Sequence, residues 1–236
     1  MKGRTVCTVA LLLILAGAVL SPAQAAPIKP VKLGDRFPDV TLPAAQGGEV
    51  ALSSLRGKNV LIVFPRGRVD DHWCQLCHYQ YAELADLEKT LQFRRKYGLE
   101  VLFVLPYDMA TVKHWVEIFP EQMAVIDKWK NPSAEELKNP RVKAWAEQAR
   151  QLLPKDLAMT KESLFLPFPI LADGGRELSQ GLQLFTLFWD YSYVEQNMAT
   201  VFILDKEGTV RFKYFSQGTT DRPGAEYLLK FVERML

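Results

Sequence analysis

Residues 73–77 read Trp73-Cys74-Gln75-Leu76-Cys77, and the segments on either side of them indicate the local secondary structure. An apolar, β-branched run at residues 60–64 precedes them and is typical of a buried strand. A long amphipathic pattern follows, with apolar side chains at helical spacing on one face: Tyr81, Leu84, Leu87 and Leu91. The two cysteines are therefore predicted to lie where a strand leads into the N-terminus of a helix.

This position favours ionisation of a thiol. The first turn of a helix carries partial positive charge and free N–H groups, which stabilise a thiolate. Cys74, the first and more exposed of the pair, is predicted to have the lowered pKa and to act as the nucleophile. Cys77, one turn later on the same face, is near enough to close a disulfide. The alternative is a structural disulfide or two buried thiols, but Cys-x-x-Cys at such a junction is typical of a redox site.

The first 25 residues have the composition of a secretory signal peptide. Lys2 and Arg4 precede an apolar run at residues 9–20, and Ala23-Gln24-Ala25 is a small-x-small cleavage site. We therefore expect cleavage after residue 25 and a secreted, periplasmic mature protein. An uncleaved anchor is the alternative, although the apolar run is shorter than the ~20 residues that a membrane span needs.

Removal of the signal leaves one predicted domain, residues 26–236. Cys7 is lost with the signal, so Cys74 and Cys77 remain, in a compartment where disulfides can form. Two of the 29 basic residues lie in the signal, which leaves 27 against 27 acidic residues. A near-neutral chain without a basic block argues against nucleic acid or an anionic membrane as a partner. We expect no membrane embedding after the signal is removed.

Strands and helices alternate along the mature chain. A helical insertion is predicted at about residues 121–161, where Ser133 and Glu136 can form a capping box and Asn139-Pro140 can start a helix. Buried strands, a late hairpin and a closing helix are predicted at 60–64, 101–105, 168–171, 201–204, 209–215 and 225–236. The predicted fold class is α/β, a sandwich with a central mixed β-sheet flanked by helices.

Five stretches together resemble a known family. They are residues 34–42, 52–64 (LSSLRGKNVLIVF), 73–77, 168–182 (FPILADGGRELSQGL) and 199–208 (ATVFILDKEG). In this order they resemble the thioredoxin-fold redoxins of the alkyl hydroperoxide reductase/thiol-specific antioxidant (AhpC/TSA) group, which includes peroxiredoxins and TlpA-like proteins. The resemblance implies a thioredoxin-like fold and an antioxidant-type oxidoreductase with a redox-active disulfide.

The sequence departs from the peroxiredoxin pattern around the first cysteine. That pattern is Pro-x-x-x-Thr/Ser-x-x-Cys, but Pro65 stands nine residues before Cys74, and Asp71 takes the place of the hydroxyl residue. An Arg usually precedes the late strand of the family, but Met198 and Ala199 stand there. Ala199 also takes the place of the cis-proline found in disulfide-exchanging relatives.

The tryptophan-flanked dithiol is more similar to the disulfide-exchange branch, so thiol–disulfide exchange is the leading prediction. Cys74 would attack a sulfur of a disulfide-bonded protein, Cys77 would resolve the mixed disulfide, and an unidentified thiol would donate electrons. The alternative is a thiol peroxidase, in which the substrate is a hydroperoxide and Cys77 resolves a sulfenic acid. The residues predicted to support this chemistry are Trp73, His72, Arg66, Ala199 and Thr200.

The loop before the cysteines carries charges of both signs. Arg66, Arg68 and a protonated His72 would lower the pKa of Cys74, whereas Asp70 and Asp71 would raise it. The sequence does not give the sign of their combined effect on the pKa of Cys74. Because Gln75 and Leu76 between the cysteines carry no charge, a moderate rather than a strongly oxidising potential is expected.

Residues 74–78 also read C-x-x-C-H, the attachment motif of c-type haem. A haem protein with His78 as an iron ligand is therefore a rival hypothesis. A copper or zinc site from His72, the two cysteines and His78 is weaker, because four ligands within seven residues have difficulty in forming a tetrahedral shell. A non-catalytic binding module is the third alternative. The leading prediction needs no cofactor and no metal.

An aromatic loop precedes the late strand. It could line a substrate groove near the cysteines, but ordinary packing against the helical insertion is the favoured interpretation. Its aromatic residues are Phe185, Phe188, Trp189, Tyr191 and Tyr193.

Overall fold

The computed structural model describes residues 27–69, 72–157 and 159–235. The predicted signal peptide with Cys7, and the loop residues Asp70 and Asp71, lie outside the described residues. None of the helices in the described ranges has the length and apolarity that crossing a bilayer would require.

Eleven strands are present in the described residues. In chain order they are β1 (Thr41–Pro43), β2 (Glu49–Ala51), β3 (Asn59–Phe64), β4 (Arg68–Val69), β5 (His72–Trp73), β6 (Leu99–Leu105), β7 (Ile170–Ala172), β8 (Phe185–Thr186), β9 (Gln196–Asn197), β10 (Thr200–Leu204) and β11 (Val210–Phe215).

Seven α-helices are present in the same residues. They are α1 (Gln75–Leu91), α2 (Phe93–Tyr97), α3 (Met109–Glu117), α4 (Phe119–Lys130), α5 (Pro140–Leu152), α6 (Glu177–Gly181) and α7 (Ala225–Met235). Two 3-10 turns, Leu52–Leu55 and Glu136–Lys138, complete the set.

Five strands form the central sheet, in the order β11-β10-β3-β6-β7. β3, β6 and β7 are parallel, whereas β10 is antiparallel to both β3 and β11. β3 is buried over its whole length because both faces of the sheet are covered. The predicted central mixed sheet flanked by helices is confirmed.

Side-chain alternation along β3 divides the core into two layers. Leu61 and Val63 point toward the layer that includes apolar residues of α1, α3, α4 and α7. Ile62 and Phe64 point toward the layer on the opposite face, which includes residues of the N-terminal segment and α6. The N-terminus of α1, with the cysteines, lies just beyond the end of β3.

Several helix boundaries follow local sequence signals. Ser133 and Glu136 make the reciprocal bonds of a capping box, with Ser133 N–H donating to Glu136 Oε2 at 2.7 Å and Glu136 N–H donating to Ser133 Oγ at 3.3 Å. Asn139 Oδ1 accepts from the Arg141 N–H at 3.0 Å and caps α5, as predicted.

Two single residues set further helix boundaries. The helical stretch that follows the cysteines is broken at Gln92, which adopts a left-handed conformation with φ of 47° and separates α1 from α2. Pro120 lies in the first turn of α4. Proline lacks only an N–H that has no partner in a first turn, so it starts a helix as readily as it stops one.

Candidate active site

A short loop between β3 and α1 brings the backbone around the first helical turn. Gly67 has φ of +89°, and its carbonyl accepts a hydrogen bond from the Cys74 N–H at 2.9 Å. Cys74 is the N-cap of α1, and Cys77 is the third residue of the helix. The predicted location of the cysteines at a helix N-terminus is therefore observed, with the two-residue strand β5 immediately before Cys74.

Both thiols are buried. Cys74 is 3% exposed and Cys77 is 0% exposed, and neither is in a disulfide. Cys74 is the more exposed of the pair, as predicted, but only slightly, because distant parts of the chain cover the helix N-terminus.

Cys77 Sγ receives the stronger set of donors. The Arg66 N–H donates to it at 3.2 Å, and Arg222 Nη2 donates at 3.8 Å. Burial opposes ionisation, but the Cys74 thiol, the Arg222 guanidinium and the Gly67 amide outweigh it and lower the pKa of Cys77 to about 5. The thiolate of the pair is therefore on Cys77.

The pKa of Cys74 moves in the opposite direction. The hydrogen bond with Cys77 and burial both raise it, and these effects exceed the attraction of Arg222 and Arg66. Two adjacent thiols cannot both ionise easily, so the sulfur facing more N–H donors takes the charge. The predicted lowered pKa of Cys74 was therefore wrong, and the helix-terminus argument applies to Cys77.

Arg222 is the functional residue that sequence reasoning missed. Its Nη2 lies 3.7 Å from Cys74 Sγ and 3.8 Å from Cys77 Sγ, and its Nη1 donates to the Asp221 carbonyl at 2.6 Å. It lies between β11 and α7, nearly 150 residues after the cysteines. No spacing or motif connects it to them, so only the folded chain shows the contact.

Arg66 is also near the thiols, but its side chain faces elsewhere. It is 6% exposed, and its Nε donates to Gln196 Oε1 at 2.6 Å. Its guanidinium carbon lies 5.8 Å from the centroid of the Trp189 indole, and that of Arg222 lies 6.0 Å from the same ring. One indole therefore contacts both cations.

A tight hairpin holds Trp189 in this position. Trp189 and Ser192 exchange two backbone hydrogen bonds of 3.0 Å, and the residues between them, Asp190 and Tyr191, have φ of 49° and 63°. Asp190 Oδ2 accepts from the N–H and the hydroxyl of Thr219, at 2.6 and 2.8 Å. We refer to residues 189–192 as the Trp189 hairpin.

The aromatic loop was expected to pack against the helical insertion. Its Trp189 instead packs against the arginines beside the cysteines, which is the arrangement that the less favoured interpretation, a groove near the cysteines, would produce. Tyr191 and Tyr193 are 92% and 78% exposed. The loop therefore presents one aromatic side chain to the site and others to solvent.

Tyr107 connects the cysteine loop to the segment before β9. Its hydroxyl accepts from the Arg68 N–H at 2.9 Å and donates to the Glu195 carbonyl at 2.9 Å. It also lines a cleft of about 610 Å³ together with Arg176, whose guanidinium pairs with Glu195. The cleft lies at the carboxyl ends of β6 and β7, where open α/β sheets commonly bind ligands.

The other predicted supporting residues are scattered around the site. Trp73 is buried and meets Tyr107 edge-on with ring centroids 5.6 Å apart, whereas His72 is exposed. Ala199 and Thr200 are buried at the start of β10, and the Thr200 hydroxyl donates to the Met198 carbonyl at 2.9 Å rather than to a sulfur. These four stay predictions as functional residues.

His78 is packed in a way that does not suit an iron ligand. It is fully buried and stacks on Trp115 with ring centroids 4.2 Å apart. Its Nδ1 and Nε2 lie 3.3 and 3.1 Å from the carbonyls of Cys74 and Trp115, and burial lowers its pKa to about 4. Within the described residues, no group of three or more His, Cys, Asp or Glu side chains could hold a metal ion.

Comparison with known proteins identifies a similar family. Residues 33–126, which include both cysteines, match the model of the AhpC/TSA family. The resemblance to the AhpC/TSA redoxins is confirmed. The predicted enzyme class, a thiol-dependent oxidoreductase of the peroxiredoxin-like kind, is confirmed at that level of detail. No curated protein matches the chain.

Solved structures confirm the thioredoxin-like fold of the chain. A cysteine-to-serine mutant of peroxiredoxin 6 from Arenicola marina is 16% identical, with a TM-score of 0.55 over 86% of this chain and 72% of that one. AhpC from Enterococcus faecalis is 13% identical, with a TM-score of 0.54 over 85% and 90%. A reduced 2-Cys peroxiredoxin from Plasmodium vivax is 18% identical, with a TM-score of 0.50 over 86% and 81%.

Proposed function

We propose that this redoxin is a thiol peroxidase in which Cys77 is the attacking sulfur and Cys74 is the resolving one. The observation that carries the proposal is the set of donors around Cys77 Sγ, a backbone N–H at 3.2 Å and the Arg222 guanidinium at 3.8 Å. Fixed hydrogen-bond donors around a sulfur stabilise its thiolate form. They also stabilise the negative charge that develops on a peroxide oxygen bound beside it.

The reaction proceeds in two steps. The Cys77 thiolate attacks one oxygen of a hydroperoxide, the O–O bond breaks, and the released alkoxide or hydroxide takes up a proton. Cys77 is then a sulfenic acid. The sulfur of Cys74, having given up its proton, attacks Cys77; the S–O bond breaks and the released hydroxide is protonated to water. The products are an alcohol or water, one water and a Cys74–Cys77 disulfide, and a thiol donor restores the dithiol by exchange.

Burial favours a hydroperoxide over a protein disulfide as the oxidising substrate. A protein disulfide must approach the attacking sulfur in line with its own S–S bond, which requires an exposed thiolate. Cys77 is 0% exposed and Cys74 is 3% exposed, so a small molecule reaches them more easily than a folded protein.

Thiol–disulfide exchange with a protein is the second candidate function. The closeness of the two sulfurs, which lie 3.7 and 3.8 Å from the same Arg222 Nη2, supports it, because a Cys-x-x-Cys pair held together closes a disulfide without a large rearrangement. In this candidate the pair is oxidised by a protein disulfide rather than by a hydroperoxide.

Rapid mixing of the reduced protein with hydrogen peroxide and with a disulfide-bonded protein separates the two functions. Cys77→Ser should lose fast oxidation by peroxide, whereas Cys74→Ser should still react once and stop at the Cys77 sulfenic acid, detected by dimedone. Fast exchange with the protein disulfide and slow reaction with peroxide would select the second function. Retention of the fast phase in Cys77→Ser would reverse the roles of the two sulfurs.

We also propose export through the signal at residues 1–25, on the sequence pattern alone. The mass of the protein recovered from a bacterial periplasm should correspond to a chain that begins at Ala26. Recovery of the full-length chain in the cytoplasm would contradict export.

A further inference from the structure

Arg222 lies in the short connection between β11 and α7, three residues before the first residue of α7. The part of the connection that precedes it is held by the carboxylate of Asp221, whose Oδ1 accepts from the Tyr214 hydroxyl at 2.5 Å and whose Oδ2 accepts from the Gln217 N–H at 2.7 Å. The position of the guanidinium also depends on what holds the part that follows, residues 223–225.

A buried carboxylate of α1 holds that second part. Glu83 is buried, and its Oε2 accepts a hydrogen bond from the Ala225 N–H at 3.1 Å. Ala225 is the first residue of α7, and an N–H in the first turn of a helix has no partner within the helix and lies at the positive end of the helix dipole. A carboxylate at this place supplies both the missing acceptor and the favourable charge.

Glu83 and Cys77 are on the same helix. Glu83 follows Cys77 by six residues, which corresponds to about 9 Å along the axis of α1. Only two residues stand between Arg222 and Ala225, and one of them is Pro223, whose ring fixes a backbone angle. The hydrogen bond of Glu83 therefore ties Arg222, through a short and restricted piece of chain, to the helix that carries Cys77.

The charge of Glu83 itself does not favour a thiolate on Cys77, because two negative charges repel each other. Burial raises the pKa of Glu83, and the Ala225 N–H and the Lys155 ammonium oppose that rise. A contribution of Glu83 to the ionisation of Cys77 must therefore come from where it holds Arg222. A positioning role and a direct charge effect predict opposite changes when Glu83 is replaced.

We propose that Glu83 is a positioning residue for the thiol chemistry, which anchors the N-terminus of α7 to α1 and so keeps the Arg222 guanidinium beside Cys77. Arg222 Nη2 lies 3.8 Å from Cys77 Sγ, and the attraction between the two charges falls as this distance grows. The inference rests on the proposed peroxidase function only for the step that it affects, the attack of Cys77 on a hydroperoxide. The ionisation of Cys77 can be measured without that reaction.

The test measures the pKa of Cys77 by thiolate absorbance in a Cys74→Ser background, where one thiol of the pair remains. Glu83→Met has a similar volume but accepts no hydrogen bond, and it should raise this pKa by about one unit, within the range that loss of a nearby cation produces. Glu83→Gln keeps an acceptor for the Ala225 N–H and should not raise it. Glu226→Gln changes an exposed carboxylate in the first turn of α7 and, as the matched control, should leave the pKa unchanged.

A double-variant cycle shows whether Glu83 acts through Arg222. In Arg222→Met protein, Glu83→Met should produce no further rise in the pKa of Cys77, because the cation that Glu83 positions is gone. An unchanged or lowered pKa in Glu83→Met alone, or an equal rise with and without Arg222, would overturn the positioning role.

Two further comparisons keep the test decisive. If Glu83→Met does not fold, Glu83→Asp draws the carboxylate back by one methylene and should raise the pKa of Cys77 in the same way, while an unchanged pKa would overturn the positioning role. Failure of the wild-type protein to reduce hydrogen peroxide would overturn the peroxidase function, whereas the differences in the pKa of Cys77 would still decide the role of Glu83.

Discussion

Two segments meet at the thiols, and they reach the site in different ways. The cysteine segment, residues 66–78, is continuous and held by contacts close in sequence, such as the Cys74 N–H to the Gly67 carbonyl. The covering segment, residues 185–222, contributes Trp189 and Arg222 from parts of the chain more than 100 residues away. The first segment brings the sulfurs together, and the second encloses them and supplies a positive charge.

This difference shows which segment decides the reactivity of each sulfur. A helix N-terminus alone favours ionisation of either thiol in the first turn. The choice of Cys77 over Cys74 depends on its direct contact with the Arg66 N–H, whereas the Arg222 guanidinium from the covering segment lies at nearly equal distances from both sulfurs and favours a thiolate on either. The predictions that follow perturb one segment at a time.

The largest effect is expected at Gly67, in the cysteine segment. A Cβ at this position would lie 2.6 Å from Tyr107 Cε2 and would overlap the hydroxyl of the same ring, and φ is +89°. Gly67→Ala should therefore lower the free energy of unfolding by about 3 kcal/mol, from a left-handed alanine and an overpacked contact. It should also raise the pKa of Cys77, since the Gly67 amide helps to lower it. Chemical denaturation and thiolate absorbance measure the two effects.

Gly98→Ala is the matched control. Gly98 also has a positive φ, 55°, but a Cβ there would meet nothing within 4 Å. It should cost only about 1 kcal/mol of backbone strain and leave the pKa of Cys77 unchanged. Equal destabilisation by the two variants would show that the overlap of the added methyl group with Tyr107 does not lower the free energy of unfolding.

The cysteine segment was largely predictable from the sequence because its signals are local. An apolar β-branched run, a loop and an amphipathic stripe identified β3, the site and α1 with few errors. The same holds for the capping box at Ser133 and Glu136. The alternation of strands and helices also gave the mixed sheet, since burial of both faces leaves a recognisable apolar run.

The covering segment was not predictable for a physical reason. Arg222 follows a stretch without regular periodicity, and its contact with the sulfurs depends on where β11 and α7 pack. Trp189 depends on a hairpin whose two central residues, Asp190 and Tyr191, adopt a left-handed conformation without being glycine. The direction of the pKa of Cys74 was mispredicted because it is set by the hydrogen bond with Cys77 and by burial, to which these distant residues contribute.

The second prediction removes the charge of the covering segment. Arg222→Met should slow oxidation of the reduced protein by hydrogen peroxide by ~10²–10³, as is typical for loss of one preorganised donor at a reaction centre. The exposed Arg234→Met, in the last turn of α7, should have no effect. A normal oxidation rate in Arg222→Met would mean that the backbone amides of the cysteine segment are enough to activate Cys77.

The third prediction concerns pH. Because the pKa of Cys77 is lowered to about 5, the oxidation rate should be nearly constant near neutral pH and fall tenfold per unit below about pH 5. An unfolded thiol has a pKa of ~8.5, so the thiolate stabilises the folded state fully above that value. This contribution is lost as pH falls toward about 5. In Arg222→Met the midpoint of this pH dependence should move to higher pH. An unchanged midpoint would show that the covering segment does not control the ionisation of Cys77.

The smallest effect is expected from the Trp189 hairpin, which we expect to control access rather than charge. Trp189→Ala should lower the free energy of unfolding by about 2 kcal/mol, less than for a core tryptophan because the ring covers the site from the surface. It should speed modification of the thiols by bulky N-phenylmaleimide more than by small iodoacetamide. Tyr191→Ala, in the same hairpin but 92% exposed, should change neither. An unchanged ratio of the two modification rates in Trp189→Ala would show that the cysteine segment alone buries the sulfurs. The covering segment would then contribute only its positive charge to the site.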